Sequence, residues 1–405
     1  MRLLLFLTLL CVFNFTSAQK EELKIKSGSW VASLMLNDAD VLPFNLRVDG
    51  SNKITVLNDE EEIVLENPIS KGDSFVVRFP YFNSLLVFKV ENAEKIAGYW
   101  QNLNKGEDYK IPFVGLYNKG PRFTSNNQSK RATISGRWKV DFEPGTKHEY
   151  PAIGVFKEGE GGAASGTFLT ETGDYRFLQG NIYGDSLLLS CFDGAHAFLF
   201  KALYKNDSLF GDFFSGSHWS CKWVGVRNES FELKNPEELT YLNSDKPIAF
   251  SFKTLSGKDY SFPNESTKGK VVIIQIMGSW CPNCLDETVY YKSLYDVYNT
   301  QGLEIIAVGY ESGKNSDDYT NNLARLKKKF DLNFTFLVGG PASKNKASQD
   351  FNMLNAIISF PTSIFIGRDG KVKRIHTGFM GPGTGNYYNE YMKRTEFLIE
   401  RLISQ

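Results

Sequence analysis

The chain has 405 residues, with 46 Lys+Arg against 46 Asp+Glu, so its formal net charge is zero. That balance argues against nucleic acid or an anionic membrane surface as the main partner. The length suits two or three domains with ordinary cores, and most of the aromatic excess, 14% overall, lies before residue 240 in strand-like alternation.

Residues 1–18 read as an export signal peptide. Met1-Arg2 is a short basic start, Leu3 to Phe13 is an apolar core too short to span a bilayer, and Thr16-Ser17-Ala18 is a small-residue cleavage site. The mature chain is expected to begin at Gln19. Cys11 follows Leu9-Leu10 rather than a small residue, which argues against a lipid anchor. No later stretch reaches the roughly 18 apolar residues of a spanning helix, so no transmembrane segment is expected after signal cleavage.

An internal repeat follows, with copies at 19–120 and 131–230. Ser27-Gly28-Ser29-Trp30-Val31 matches Ser135-Gly136-Arg137-Trp138-Lys139, Ile96-Ala97-Gly98-Tyr99 matches Leu209-Phe210-Gly211-Asp212, and Phe113-Val114-Gly115-Leu116 matches Trp223-Val224-Gly225-Val226. The offsets run from 108 (Gly28 to Gly136) to 113 (Ile96 to Leu209). Helical periodicity is nearly absent. Hairpin signals at Asp49-Gly50, Lys71-Gly72-Asp73 and Asp193-Gly194 predict about six or seven short strands per copy. The expected class is all-β and antiparallel: two barrel- or sandwich-like units, or one larger barrel. Asn118 to Thr133 reads as a polar linker between the copies. A second linker covers 231–245, where Asn235-Pro236-Glu237-Glu238 can start a short helix.

Cys191 and Cys221 both fall in the second copy, and two states are open for them. They form a structural disulfide, as an oxidising compartment favours, or they remain buried free thiols. His196 and His218 lie close enough in sequence to these cysteines to suggest metal ligation. Strand alternation, however, puts His218 on the opposite face from Cys221, so ordinary hydrogen bonding is expected and no metal is assigned.

From 246 to 405 the pattern changes to α/β. The apolar run Val271 to Met277 leads into Trp280-Cys281-Pro282-Asn283-Cys284, and a helical segment continues to about Tyr298. Strand, tight turn with Cys-x-x-Cys, then helix is the layout of a dithiol site. The first sulfur sits at a helix N-terminus, where free N–H groups and the helix dipole favour the attacking thiolate. A zinc site would need two more ligands, and only His376 follows. Further on, Ser359-Phe360-Pro361-Thr362 opens a β-branched strand, and Arg368-Asp369-Gly370-Lys371 is a hairpin signal.

With Gly278-Ser279-Trp280-Cys281-Pro282-Asn283-Cys284, Phe360-Pro361 and that hairpin, residues 246–405 resemble the thioredoxin fold. Within it they resemble the secreted TlpA/ResA-like thiol–disulfide oxidoreductases of bacteria. The resemblance implies an exported enzyme, periplasmic or on the outer surface, that reduces protein disulfides through a mixed-disulfide intermediate. Cys281 would be the nucleophile and Cys284 the resolver of a redox-active Cys281–Cys284 disulfide, with Trp280, Pro282, Phe360 and a cis Pro361 as the docking surface. Partners implied are disulfide-containing client proteins and a membrane thiol electron donor, with no cofactor. Thioredoxins carry a buried Asp six residues before the first Cys, where this chain has Gln275, which cannot take a proton. Glu287, one helical turn after Cys284, matches a Glu of ResA-like members and is the candidate for that role; otherwise it is a solvated residue near a helix start. Two other readings stand beside the reductase. One is a dithiol oxidase, disfavoured because strong oxidants of the DsbA type carry His between the cysteines. The other is a non-catalytic ligand- or client-binding module in the β repeat, with the thioredoxin-like domain as an accessory.

Overall fold

The computed structural model describes residues 25–118, 120–124, 132–244 and 246–405. The signal peptide and Cys11 lie outside the described residues. Among those described, no helix is long and apolar enough to cross a membrane.

Three sheets follow one another along the chain. The first has nine antiparallel strands in the order Glu61–Val64, Ile54–Asn58, Val41–Val48, Gly28–Met35, Lys110–Tyr117, Lys95–Asn102, Ser84–Asn92, Ser74–Arg78 and Ile69–Lys71. The second also has nine, in the order Tyr150–Glu158, Gly136–Phe142, Trp219–Arg227, Ser208–Ser215, Ala197–Lys205, Ser186–Phe192, Leu178–Tyr183, Ala163–Thr170 and Gly173–Asp174. Each copy thus holds nine strands rather than the six or seven expected. The additional ones include the short Ile69–Lys71 and Gly173–Asp174, too brief to show alternation.

The repeat is visible in atomic detail. Gly28 and Gly136 both take positive φ, at 131° and 115°, and start equivalent strands. Two residues on, Trp30 and Trp138 are fully buried, and each indole N–H donates to the carbonyl four residues earlier, Lys26 at 2.9 Å and Ile134 at 2.8 Å. In each copy this strand pairs with the copy's last strand, Trp30 opposite Tyr117 and Trp138 opposite Arg227.

The copies differ in closure. In the second, Tyr150–Glu158 also pairs with Ala163–Thr170, closing a barrel around Trp138, Phe142, Phe168, Phe200 and Trp223. Among the described residues the first has no such closing pair and forms a half-barrel. Its core is completed from outside, by Phe192, Ala197 and Leu199 of the second unit. Phe192 packs against Phe44, Phe79 and Trp100, with ring centroids 4.4, 5.4 and 5.2 Å away. The expected polar linker is partly built into this seam. Arg122 is buried, with Nε donating to Asn45 Oδ1 at 2.8 Å and Nη1 to the Ser190 carbonyl at 2.8 Å.

Cys191 and Cys221 are free thiols. Their strands, Ser186–Phe192 and Trp219–Arg227, are separated by two others in the sheet. At about 4.8 Å per strand step, their Cα atoms lie well beyond the roughly 7 Å limit for a disulfide. The structural-disulfide expectation is therefore corrected. His218 meets Tyr109 Oη at 2.9 Å and Lys105 Nζ at 3.1 Å, both from the first unit. His196 contacts Asp193.

The third sheet runs Asp259–Phe262, Phe250–Thr254, Thr335–Pro341, Leu303–Glu311, Val271–Met277, Thr362–Ile366 and Val372–Thr377. Val271–Met277 pairs in parallel with Leu303–Glu311 and antiparallel with Thr362–Ile366. All seven of its residues are buried, as a central strand covered by helices on both faces requires. The covering helices include Pro282–Tyr298, Ser316–Lys329 and Asn386–Ile403. The second linker docks on this sheet's domain. Asn235 caps the short helix Pro236–Leu239, Leu242 bridges to Leu354, and Asn243 N–H donates to the Met353 carbonyl at 2.8 Å.

Candidate active site

The central strand delivers the chain to Gly278-Ser279-Trp280-Cys281. Cys281 has extended backbone geometry and caps the helix Pro282–Tyr298, its Sγ accepting the Cys284 N–H at 3.2 Å. Pro282 occupies the first helical turn, where a missing N–H costs nothing. Cys281 and Cys284 are joined as a disulfide. Cys281 keeps 7% of its surface exposed and Cys284 none. Once reduced, a Cys281 thiolate is stabilised by the first-turn N–H groups and the helix dipole. Across from it, the Phe360–Pro361 peptide is cis, and the Phe360 carbonyl oxygen lies 3.6 Å from Cys281 Sγ. Trp280 stands edge-on to Phe360, and its indole N–H donates to the Tyr310 carbonyl at 2.8 Å.

Glu287 is not solvated: its side chain is fully buried. Gln275 Nε2 donates to it at 2.9 Å and to the Cys284 carbonyl at 3.3 Å, so Gln275 ties the carboxyl to the turn bearing the second sulfur. Ser363 Oγ, Tyr291 Oη and Tyr391 Oη complete its surroundings at 3.0, 3.1 and 3.3 Å. Burial pushes the Glu287 pKa up to about 7, although all four donors favour the anion.

A second buried carboxyl holds the other side of the motif. Glu311, 1% exposed at the end of its strand, accepts from Ser279 N at 2.7 Å and Ser279 Oγ at 2.6 Å. Burial raises it as well, to about 7. The sequence offered one signal for it, a carboxylate ending the apolar run Ile305 to Tyr310.

The β units reach the site from two sides. A cleft of about 520 Å³ is lined by Tyr150, Glu171 and Thr172 of the second unit and by Trp280, Asn283, Lys344 and Phe360. On the other side of Trp280, a smaller cavity of about 230 Å³ is lined by Lys105 and Tyr109 of the first unit and His218 of the second. Of the expected docking residues, Trp280 is half-buried, while Pro282, Phe360 and Pro361 are buried rather than open. Asp174, Arg176 and Asn283 were not among the expected site residues, because only the tertiary fold brings the second β unit to the motif.

Family and sequence comparisons match the part of the chain that carries this site. The family model described as Redoxin matches residues 243–391. The thiol-disulfide oxidoreductase ResA of Geobacillus thermodenitrificans is 32% identical over 133 residues, covering 32% of this chain and 67% of that protein. The thioredoxin-like protein YneN of Bacillus subtilis is 30% identical over 150 residues, covering 37% of this chain and 80% of that protein. The crystal structure of StoA from Bacillus subtilis aligns with 25% identity over 38% of this chain and 99% of that one, with a TM-score of 0.27. The matched family span holds the dithiol, Glu287 and Pro361 and leaves out the β repeat. Through that C-terminal part, the chain belongs to the ResA-like thiol–disulfide oxidoreductases of the redoxin family.

Proposed function

We propose that the protein is an exported reductase of protein disulfides, working through Cys281 and Cys284. The observation that carries this reading is the Cys281–Cys284 pair at the start of its helix, beside cis Pro361 and backed by the buried Glu287. In the productive direction the Cys281 thiolate attacks a client disulfide. A mixed disulfide forms and one client thiolate leaves. Cys284 then attacks Cys281 Sγ, releasing the second client thiol and closing the Cys281–Cys284 disulfide. Glu287, with a pKa near 7, exchanges the Cys284 proton by way of water, while Gln275 holds its carboxyl to the turn that bears Cys284. Trp280 and Phe360 form the docking edge. A membrane thiol donor returns the enzyme to its dithiol form, and the signal-like pattern of residues 1–18 supports export to the periplasm or the outer surface.

Reduction is favoured over oxidation by the surroundings of the motif. Strong oxidants owe their potential to a stabilised thiolate. Among the described residues no cationic side chain is hydrogen-bonded to either sulfur, which leaves the helix N-terminus as the stabilising element. The expected reduction potential therefore lies nearer the roughly −270 mV of thioredoxin-type reductants than the roughly −120 mV of strong dithiol oxidants. Two variants test the roles. Cys281→Ser is expected to abolish insulin reduction, and Cys284→Ser to accumulate mixed disulfides. Faster alkylation of Cys284 than of Cys281 in the reduced protein would reverse the assignment.

A further inference from the structure

The strand Ala163–Thr170 turns tightly into Gly173–Asp174, and this hairpin tip of the second β unit is seated on the dithiol loops. It touches both halves of the site. On the Pro361 side, Ser359 Oγ donates to the Thr172 carbonyl at 3.2 Å. Gly378, whose N–H donates to the Pro361 carbonyl at 2.8 Å, has φ of +77°, and a Cβ there would come within 2.7 Å of the Thr172 backbone. On the motif side, Asn283 Nδ2 donates to Asp174 Oδ2 at 3.0 Å and to the Phe379 carbonyl at 2.9 Å. Both N–H bonds of the amide are thereby used. The Asp174 carboxylate is itself fixed, with Gly381 N donating to Oδ2 at 2.7 Å and Arg176 N to Oδ1 at 2.7 Å.

We propose that Asp174 is a positioning residue for the thiol–disulfide reaction: by holding the Asn283 amide it fixes the Pro282-Asn283 dipeptide, and so the second β unit sets the reduction potential of a dithiol it does not contain. The inference rests on Cys281–Cys284 being the redox pair. The physical reason is preorganisation. Closing the disulfide is an intramolecular step, governed by the effective concentration of one thiol at the other. Asn283 stands between the two cysteines, with its side chain pinned at both amide hydrogens. Releasing it lets the dithiol form sample more geometries than the disulfide allows, which makes the disulfide easier to reduce. Asp174 does not touch the sulfurs, so its effect has to pass through Asn283.

Asp174→Ala, Asn283→Ala and the double variant, made in the full chain and equilibrated with glutathione, test this. Asp174→Ala is expected to shift the equilibrium toward the dithiol by about tenfold, roughly 30 mV upward in potential. Asn283→Ala should give a similar shift, and the double variant no more than either alone, because coupled residues on one path are not additive. Asp174→Asn keeps an acceptor for Asn283 and loses the acceptor for Arg176 N. It should stay within a few-fold of the unmodified protein in potential while unfolding at lower urea. A contact that merely glues the β unit in place moves stability without moving the potential. An unchanged potential in folded Asp174→Ala, or the same shift with and without Asn283, would overturn the proposal. Should Asp174→Ala fail to fold, an unchanged potential in Asn283→Ala has the same force. A protein whose Cys281–Cys284 pair never equilibrates with glutathione sinks the parent assignment instead.

Discussion

At Glu287, burial and hydrogen bonding pull the carboxyl in opposite directions. Complete burial favours the neutral acid and the four donors favour the anion; burial wins, placing the group near 7. An unfolded chain has its glutamates near about 4.3. Between those values the folded state holds a proton that the unfolded state has released. The stabilisation linked to Glu287 is therefore complete below about pH 4 and is lost as pH rises through about 7. By pH 8 the loss is on the order of 3 kcal/mol. Glu287→Gln should remove that share of the pH dependence, seen as a smaller difference between urea unfolding at pH 5 and at pH 8. The same variant should flatten the pH profile of disulfide reduction around 7. If neither profile changes, Glu287 fills space and moves no proton.

Ser279 shows how one element steadies another. It joins the loop carrying Trp280 and Cys281 to the end of the strand Leu303–Glu311 through two bonds to a single buried carboxyl. Hydrogen bonds to charged groups contribute roughly 1.5–3 kcal/mol. Ser279→Ala removes one of the two and leaves Glu311 short of a donor. A fall of about 2 kcal/mol in unfolding free energy is expected, with a shift in Trp280 emission as its loop loosens. A stability change within about 0.5 kcal/mol of zero, the usual range for surface substitutions, would mean that the Glu311 contact adds nothing. Elements of this kind were readable one at a time: the strand before the motif, the helix after it and the repeated Gly-x-Trp starts all follow from local pattern. Short strands such as Gly173–Asp174 were not, since two residues show no period.

At the scale of the whole molecule, one buried guanidinium joins all three parts. Arg176 of the second β unit pairs with Glu61 of the first at 2.6 Å, with Asp193 of its own unit at 3.4 Å and with Asp286 of the dithiol helix. Burial opposes its charge, but the surrounding carboxylates hold it firmly protonated. Burial likewise raises Asp286 to about 7 against the pull of Arg176. Arg176→Met leaves these carboxylates buried without their cation. Breaking a buried ion pair by removing one partner costs about 3–5 kcal/mol, and that loss is expected here in urea unfolding. Because the pairs cross between units, the variant should also unfold in more phases than the unmodified protein. A single transition at unchanged urea concentration would show that the three parts are held together elsewhere.

The sequence by itself determined the class of each half, the repeat, the dithiol and the chemistry of the family, because period, turn residues and Cys-x-x-Cys act through neighbours a few positions apart. It also pointed to Glu287, whose place one turn after Cys284 is helix geometry. Only the tertiary structure decided that Cys191 and Cys221 stay apart, since strand order is set by pairing across the whole barrel. The same holds for the half-barrel, which borrows Phe192, Ala197 and Leu199 to finish its core. It holds most of all for Asp174 beside Asn283: residues 109 positions apart meet because an apolar seam and the Arg176 ion pairs seat one domain on another, and no local pattern records that.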